Sequence, residues 1–575
     1  MSARREEYAL EGFNLVDLEL ARSLAGRRGR PGHGLALGAA LASRQRRVGH
    51  PCVLLGQWAG REHGLSRPGD EADLPGRAPD LEAWLDELRG SGVVATRDEE
   101  SHSFPLVLEA DRLYLQRMHA AESRVARALA ERLRPQEPPA AWQALLERVA
   151  PRDETDPEQR QALEAVLRRR LHVLTGGPGT GKTSTLGRML ALVLALEPDL
   201  RVRLAAPTGK AAARLQEALA ETVERLPDGL RPAVAALPRA GTLHRMLHEK
   251  PRLDWLVVDE ASMVDLGLMD RVLACLPPEA RLLLVGDADQ LASVDAGAVL
   301  HHVVEGLEGL PVREDLPPPV TRLVRSRRFT PDSGIGRLAQ AVREGDPEDV
   351  LAILDDSASA PDLQWLRADQ PGNGAAMGAR LREGFAAFCG AGTPGEALAA
   401  LERFRVVCGR RSGPMGVEAV NRWCRARFVE AAGVPFSPVL VRVNDHVLGL
   451  ANGDSGVRAR GAVGEALCHL QPGGSSPLVL AEAQLPPHDE AWAITVHQSQ
   501  GSEADEILLL LPEAGSPLLA RELLYTGLTR ARRRLTLVGG REAVRQAVEL
   551  RTRRAGGLAE RLASRAGESG GTEGP

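Results

Sequence analysis

The segment Gly176-Gly177-Pro178-Gly179-Thr180-Gly181-Lys182-Thr183 constrains this chain more than any other. It fits the pattern G-x-x-x-x-G-K-[S/T], follows the apolar run Leu171–Thr175 and opens the helical stretch Thr183–Leu196. Strand, loop and helix in that order are the setting a phosphate-binding loop requires. The glycines let backbone N–H groups turn inward around phosphate oxygens, and the helix N-terminus adds a dipole that favours the anion. Lys182 is suited to neutralise the β- and γ-phosphates of a nucleoside triphosphate, and Thr183 to ligate Mg²⁺. Ser184 completes the candidate nucleotide-binding stretch.

Two further apolar runs deliver polar groups to the same end of a sheet. Trp255–Val258 leads into Asp259 and Glu260. Asp259 is a candidate for the Mg²⁺ shell, and Glu260 for activating a water that attacks the γ-phosphate. Leu282–Gln290 (LLLVGDADQ) repeats the geometry and offers the Gln290 amide as a γ-phosphate sensor. Arg328 and Arg530 are candidate arginine fingers, although only their place in motifs separates them from the other arginines. Just three residues are lysine (Lys182, Lys210 and Lys250) against 72 basic residues in all, so the positions where lysine persists are informative.

At 575 residues the chain is long enough for several domains. Apolar runs alternate with helical segments from residue 160 onward, which implies α/β folding with parallel sheets. The expected runs are Leu171–Thr175, Val202–Ala206, Trp255–Val258 and Arg281–Val285 in one block, then Phe404–Cys408, Trp492–Val496, Ile507–Leu511 and Leu535–Val538 in another. We divide the chain into a mainly helical N-terminal domain (1–150), two α/β domains (151–330 and 331–560), a small β insert (435–490) and a disordered tail (561–575). A long helix is expected over 110–134, and loop over 60–80. The net charge of −5 excludes a uniformly basic coat but not a basic channel. Six scattered cysteines with no C-x-x-C pair argue against a disulfide framework and fit a reduced cytoplasm. No apolar run approaches the ~18 residues of a membrane span, so no membrane partner is expected. The start, Met1–Glu7, has no apolar core of a secretory signal.

The order of motifs resembles the superfamily 1 helicases that move 5′ to 3′, and among them the RecD family. Gln159-Arg160-Gln161-Ala162 resembles the Q motif, Ala206–Ala212 motif Ia and Gly241–Arg245 motif Ib. Asp259–Asp265 resembles motif II, Gly286–Val294 motif III and Arg325–Phe329 motif IV. Thr495–Glu503 and Tyr525–Arg532 resemble motifs V and VI. The resemblance implies two RecA-like lobes that sandwich ATP with Mg²⁺, and an SH3-like fold for the insert. It implies adenine reading by Gln159, a nucleotide contact by Gly501, approach of Glu503 to the ribose, and Arg328 and Arg530 reaching the γ-phosphate. Pro207, Thr208, Thr242, His244, Thr495 and His497 would lie along a single-stranded DNA path, with sequence-independent phosphate contacts. It also implies RecB-like and RecC-like partner subunits, with residues 1–150 as the docking region, DNA ends as substrate and the nuclease on a partner.

Three departures stand out. Only His248-Glu249-Lys250-Pro251-Arg252 occupies the place of a longer β-hairpin, Gln498 replaces the usual lysine of motif V, and Arg327 replaces a tyrosine of motif IV. The short hairpin region predicts a working ATPase whose duplex opening depends on its partners. A stand-alone 5′-to-3′ helicase and a structural subunit with an idle motor are the alternatives.

Overall fold

The computed structural model describes residues 13–25, 33–62, 77–96, 103–330, 333–357, 360–370, 372–445, 447–460, 465–471, 477–552 and 554–570. Four sheets organise them. Near the N-terminus, β1 (Cys52–Leu54), β2 (Val94–Ala95), β3 (Leu106–Glu109) and β4 (Arg112–Leu115) form a small sheet in the order β1-β4-β3-β2. Helices His33–Arg47 and Leu81–Gly90 cover it, with Trp84 fully buried and its indole N–H donating to the Gly34 carbonyl at 2.7 Å.

Lobe 1 is a six-stranded parallel sheet: β5 (Leu171–Gly176), β6 (Val202–Ala206), β7 (Gly241–Thr242), β8 (Trp255–Val258), β9 (Arg281–Gly286) and β10 (Val320–Leu323), ordered β10-β5-β9-β8-β6-β7. Its strands are buried on both faces, which is why they read as near-continuous apolar runs. Separate apolar clusters fill the two sides of the sheet.

Lobe 2 begins with β11 (Leu363–Leu366) and β12 (Phe404–Cys408). The chain then leaves to build a five-stranded antiparallel sheet: β13 (Phe436–Val441), β14 (Ser455–Arg460), β15 (Ala466–Leu470), β16 (Leu478–Ala481) and β17 (His488–Glu490). It returns for β18 (Ala493–Thr495), β19 (Ala504–Leu510) and β20 (Ala531–Val538), and the parallel order β11-β20-β19-β12-β18 results. The chain's few aromatics concentrate here: Trp492 is fully buried with its ring 5.1 Å from Phe385, 5.0 Å from Phe388 and 5.4 Å from Phe428.

Three expectations need correction. The helix expected from 110 starts at Gln116 and ends at Glu131, because Arg112–Leu115 is drawn into the small sheet between β1 and β3. Ala121, Val125 and Leu129 of that helix, and Leu146 and Val149 of the helix Trp142–Val149, belong to the lobe 1 core. The packing seam therefore falls near residue 115 rather than 150. Residues 561–570, expected to be disordered, lie in the helix Leu558–Gly570, whose Leu558 and Leu562 are buried in the lobe 1 core. The chain thus returns from lobe 2 to lobe 1 before it ends, and residues 571–575 lie outside the described residues. Most of the loop expected over 60–80 also lies outside them. No described helix is long and apolar enough to cross a membrane.

Candidate nucleotide cleft and strand path

The candidate groups gather at the carboxyl ends of the parallel strands, where open α/β sheets place their ligands. β5 runs into the glycine loop, and the helix Lys182–Leu196 starts at its end. Lys182 Nζ donates to the Gly176 carbonyl at 2.6 Å and the Gly177 carbonyl at 2.9 Å, and Thr180 Oγ1 donates to the Gly177 carbonyl at 2.9 Å. Thr183 and Ser184 stand in the first turn of that helix. Gly179 has φ +72°, and a Cβ there would lie 2.3 Å from Arg328 Cβ, so only glycine allows the 326–328 segment to close over the loop. The closure is hydrogen-bonded: Arg327 N donates to the Gly179 carbonyl at 2.8 Å and Ser326 Oγ to the Pro178 carbonyl at 3.3 Å.

A cleft of about 950 Å³ opens beside the loop between the lobes. Gly177, Pro178 and Thr180 form one wall, and Phe329, Arg337 and Gln340 another. The amide of Gln159 lies against Gly181, and the hydroxyl of Tyr525 lies against Gly177. Arg327, the residue in place of a tyrosine, donates to Asp156 at 3.0 Å, which Arg325 also approaches. Asp156 immediately precedes the helix that carries Gln159, so the substitution ties the Q motif to motif IV by charge.

β8 delivers Asp259 and Glu260. Asp259 is half-buried, and its removal from water together with the neighbouring Glu260 raises its proton affinity, which Lys182 only partly offsets. Glu260 has φ +49°, a left-handed conformation unusual for a non-glycine residue and of the kind that concentrates at functional sites. On the adjacent β9, Asp287 is buried, and burial raises its carboxyl while Lys182 lowers it. Gln290 Nε2 donates to Asp287 Oδ2 at 3.1 Å, so the candidate sensor is anchored on an acid that feels the Lys182 charge.

Lobe 2 holds the next residue at both backbone atoms. The Leu291 amide donates to Thr526 Oγ1 at 2.8 Å, and its carbonyl accepts from Gln500 Nε2 at 2.7 Å. Arg530 is buried, with Nε donating to the Thr526 carbonyl at 3.0 Å. Arg328 donates to Glu503 at 2.8 Å, and Arg532 and Arg214 lie at 3.5 and 3.9 Å from the same carboxylate. Burial alone would raise Glu503, yet Arg328 and Arg214 outweigh it and hold the carboxyl down to about 2. In this structure Glu503 is therefore an acceptor for guanidiniums, and Gly501 rests against Thr208 and Ala211.

The candidate strand path lies at the opposite edge of the sheets. Thr208 follows β6, Thr242 ends the neighbouring strand β7, and Thr495 ends the edge strand β18. All three are helix N-caps: Thr208 accepts from the Ala211 amide (3.2 Å), Thr242 from Arg245 (3.1 Å) and Thr495 from Gln498 (3.2 Å). Gln498, where a lysine is usual, accepts the Thr495 amide at 2.9 Å and closes a capping box that lysine, lacking an acceptor, cannot make. Pro207 precedes the first cap, His244 is exposed just after the second, and His497 follows the third, with its proton affinity lowered by burial and by Arg554. Lys210 stands in the first turn of the helix that Thr208 caps; burial, then Arg405 and Arg214, push its pKa down to about 7, with Asp454, just before β14, opposing them. Residues 248–252 contain no strand; a helix ends at Glu249 and β8 begins at Trp255.

Sequence reasoning passed over Arg214 and Asp156, and gave no separate role to Asp287, Gln500 and Thr526 inside the motif III, V and VI stretches. Asp156 left a local signal of its own, an acidic residue before Pro157 at a helix start.

Family models match three parts of the chain: the AAA domain over residues 154–360, the UvrD-like helicase C-terminal domain over 490–538, and the RecBCD enzyme subunit RecD N-terminal domain over 10–114. RecBCD enzyme subunit RecD of Mycobacterium tuberculosis is 41% identical over 537 residues, spanning 87% of this chain and 87% of that protein. The protein of the same name from Mycolicibacterium smegmatis is 42% identical over 441 residues, 70% of this chain and 74% of the relative. The ATP-dependent RecD2 DNA helicase of Deinococcus radiodurans is 33% identical over 402 residues, 67% of this chain and 49% of that protein.

Proposed function

This chain belongs to the RecD family of RecBCD enzyme subunits, and from that premise we propose how its residues drive an ATP-dependent 5′-to-3′ DNA helicase at double-strand ends. The observation that carries the reading is the grip of lobe 2 on Leu291, one residue from Gln290, because it joins the hydrolytic face of lobe 1 to movement of lobe 2.

Lys182 neutralises the β- and γ-phosphates of ATP, and Gln159 reads the base. Glu260 accepts a proton from the attacking water, Gln290 senses the γ-phosphate, and Arg328 and Arg530 stabilise the charge that develops there. Thr183 and Asp259 fit a magnesium ion, since a hydroxyl and a carboxylate are the oxygen donors it takes, and a carboxylate crowded by Glu260 is relieved by a divalent cation. Bound there, Mg²⁺ supplies charge neutralisation to the triphosphate. Thr208, Thr242 and Thr495, with Pro207, His244 and His497, line the DNA strand, and opening and closing of the cleft advances it. The antiparallel sheet over 436–490 is read as the SH3-like insert.

RecB-like and RecC-like subunits complete the enzyme, with the nuclease on a partner and the work done in the cytoplasm. The match to the RecD N-terminal model favours this over a stand-alone helicase. The strandless 248–252 segment supports dependence on partners for parting the duplex.

The test is ATP hydrolysis by the full chain, with and without 5′-tailed DNA and with partner subunits added or omitted. DNA-stimulated hydrolysis is expected, with little unwinding by the chain alone. Lys182→Gln abolishes turnover while leaving the fold intact, because Nζ bonds only two loop carbonyls. Absence of turnover under every condition would sink the proposal. Robust unwinding by the lone chain would sink the partner dependence.

A further inference from the structure

Gln290 and Leu291 continue into residues 292–297, and the carbonyls of this stretch turn toward a single guanidinium from elsewhere in the chain. Arg554 Nη1 donates to the Asp295 carbonyl and, at 3.2 Å, to the Gly297 carbonyl, while Nη2 donates to the Ser293 carbonyl. Arg554 lies after the lobe 2 helix Arg541–Glu549, in the stretch that crosses back to the lobe 1 helix Leu558–Gly570. The sensor segment is therefore held twice: at Leu291 by lobe 2 through Thr526 and Gln500, and at Ser293–Gly297 by Arg554 of the returning stretch.

The N-terminal region closes the other side of the same guanidinium. Gly49 has φ +98°, and a Cβ there would stand 2.8 Å from Arg554 Cζ. The Gly49 carbonyl accepts from the Gly297 amide at 3.0 Å, and His50 Nδ1 accepts from the Ala555 amide at 3.0 Å. His302, on the lobe 1 helix Val299–Glu308, lies against Gly556, two residues beyond Arg554. His497, on the candidate strand path, reaches the same segment through hydrogen bonds: its carbonyl accepts from the Gln500 amide at 3.2 Å, and Gln500 Nε2 donates to the Leu291 carbonyl at 2.7 Å. Arg554 thus joins the sensor loop to the N-terminal region, and the strand path meets the same loop through Gln500.

We propose that Arg554 is a positioning residue for nucleotide hydrolysis: it sets the 293–297 loop, and through it Gln290, so that DNA engagement near His497 and the state of the N-terminal region both act on turnover. The planar fork explains why arginine is used, since three carbonyls are met at once by two terminal nitrogens. The inference rests on the ATP-driven reading above.

The test compares the parent full chain with Arg554→Ala and Arg554→Lys in steady-state ATP hydrolysis, with and without oligo-dT. Arg554→Ala is expected to lower the ratio of DNA-stimulated to unstimulated kcat by about tenfold, a common size for coupling between sites, with KM for ATP within about twofold of the parent. Arg554→Lys, which keeps the charge but not the fork, recovers part of that ratio. A purely structural role lowers both rates together and leaves the ratio unchanged, and that result overturns the proposal. If Arg554→Ala does not fold, Arg554→Lys decides alone: a ratio equal to the parent's overturns it, and a reduced ratio at parental KM supports it. A parent without ATPase activity condemns the earlier reading, whereas an active parent matched by both variants condemns only this one.

Discussion

Thr526→Val isolates the contact by which lobe 2 reaches the hydrolytic face. Thr526 is fully buried, and its hydroxyl oxygen accepts the Leu291 amide at 2.8 Å. Valine has nearly the same shape and the same branching at Cβ, so the helix Arg521–Leu528 is little disturbed. The Thr526 carbonyl, which accepts from Thr529 and Arg530, is retained. What is lost is an acceptor for a buried amide, a change that costs about 1–3 kcal/mol. That cost falls only on the state in which the lobes meet, because separation returns the Leu291 amide to water. The joined state is therefore weakened by a factor of about 5–150. If hydrolysis requires the joined state, kcat/KM for ATP falls by the same factor. The assay is DNA-stimulated ATP hydrolysis beside thermal unfolding, with Thr526→Ser as the control that keeps the acceptor. Parental kcat/KM in Thr526→Val, or an equal fall in Thr526→Ser, would refute the reasoning.

Two other perturbations probe different links. Trp492→Ala empties the aromatic centre of lobe 2 and removes the indole N–H that donates to Glu490 at 2.8 Å; a loss of about 3–5 kcal/mol is expected in denaturant titration, and a loss below about 1 kcal/mol contradicts the packing argument. Glu503 is held down to about 2 in the fold, so its stabilisation is full above the ordinary carboxylate pKa and is lost as pH falls from about 4.5 toward about 2. The shift corresponds to roughly 3 kcal/mol in all, of which about 2 kcal/mol disappears between about pH 6 and pH 3. Glu503→Gln, which does not titrate, should show that much less decline in unfolding free energy over the interval, and an identical decline in parent and variant would rule out this ion cluster as the source.

Much of the motor was legible because parallel strands buried on both faces announce themselves as short apolar runs. Val202–Ala206, Trp255–Val258 and Phe404–Cys408 fall where those runs lie. The helix start at Gln116 was not legible, because Arg112–Leu115 joins a helix-like stretch in sequence and becomes a strand only when β1 and β3 flank it. The last helix was masked by a polar, glycine-rich tail, and only the lobe 1 core gives Leu558 and Leu562 somewhere to bury. Gln498 read as a lost charge, whereas its role as a cap partner is local and could have been found from the T-x-x-Q spacing.

The sequence by itself determined the phosphate loop and the acids and amide beside it, because each is a strand end followed by a turn, and such geometry is written within a few residues. Tertiary structure alone decided which distant groups meet: Arg328 with Glu503 across 175 residues, Leu291 with Thr526 across 235, and Arg554 with Ser293 across 261. In a chain so rich in arginine, no local pattern distinguishes the one that grips a sensor loop from those that face water. That choice is made only when folding removes water from a few carbonyls and leaves a single guanidinium within reach.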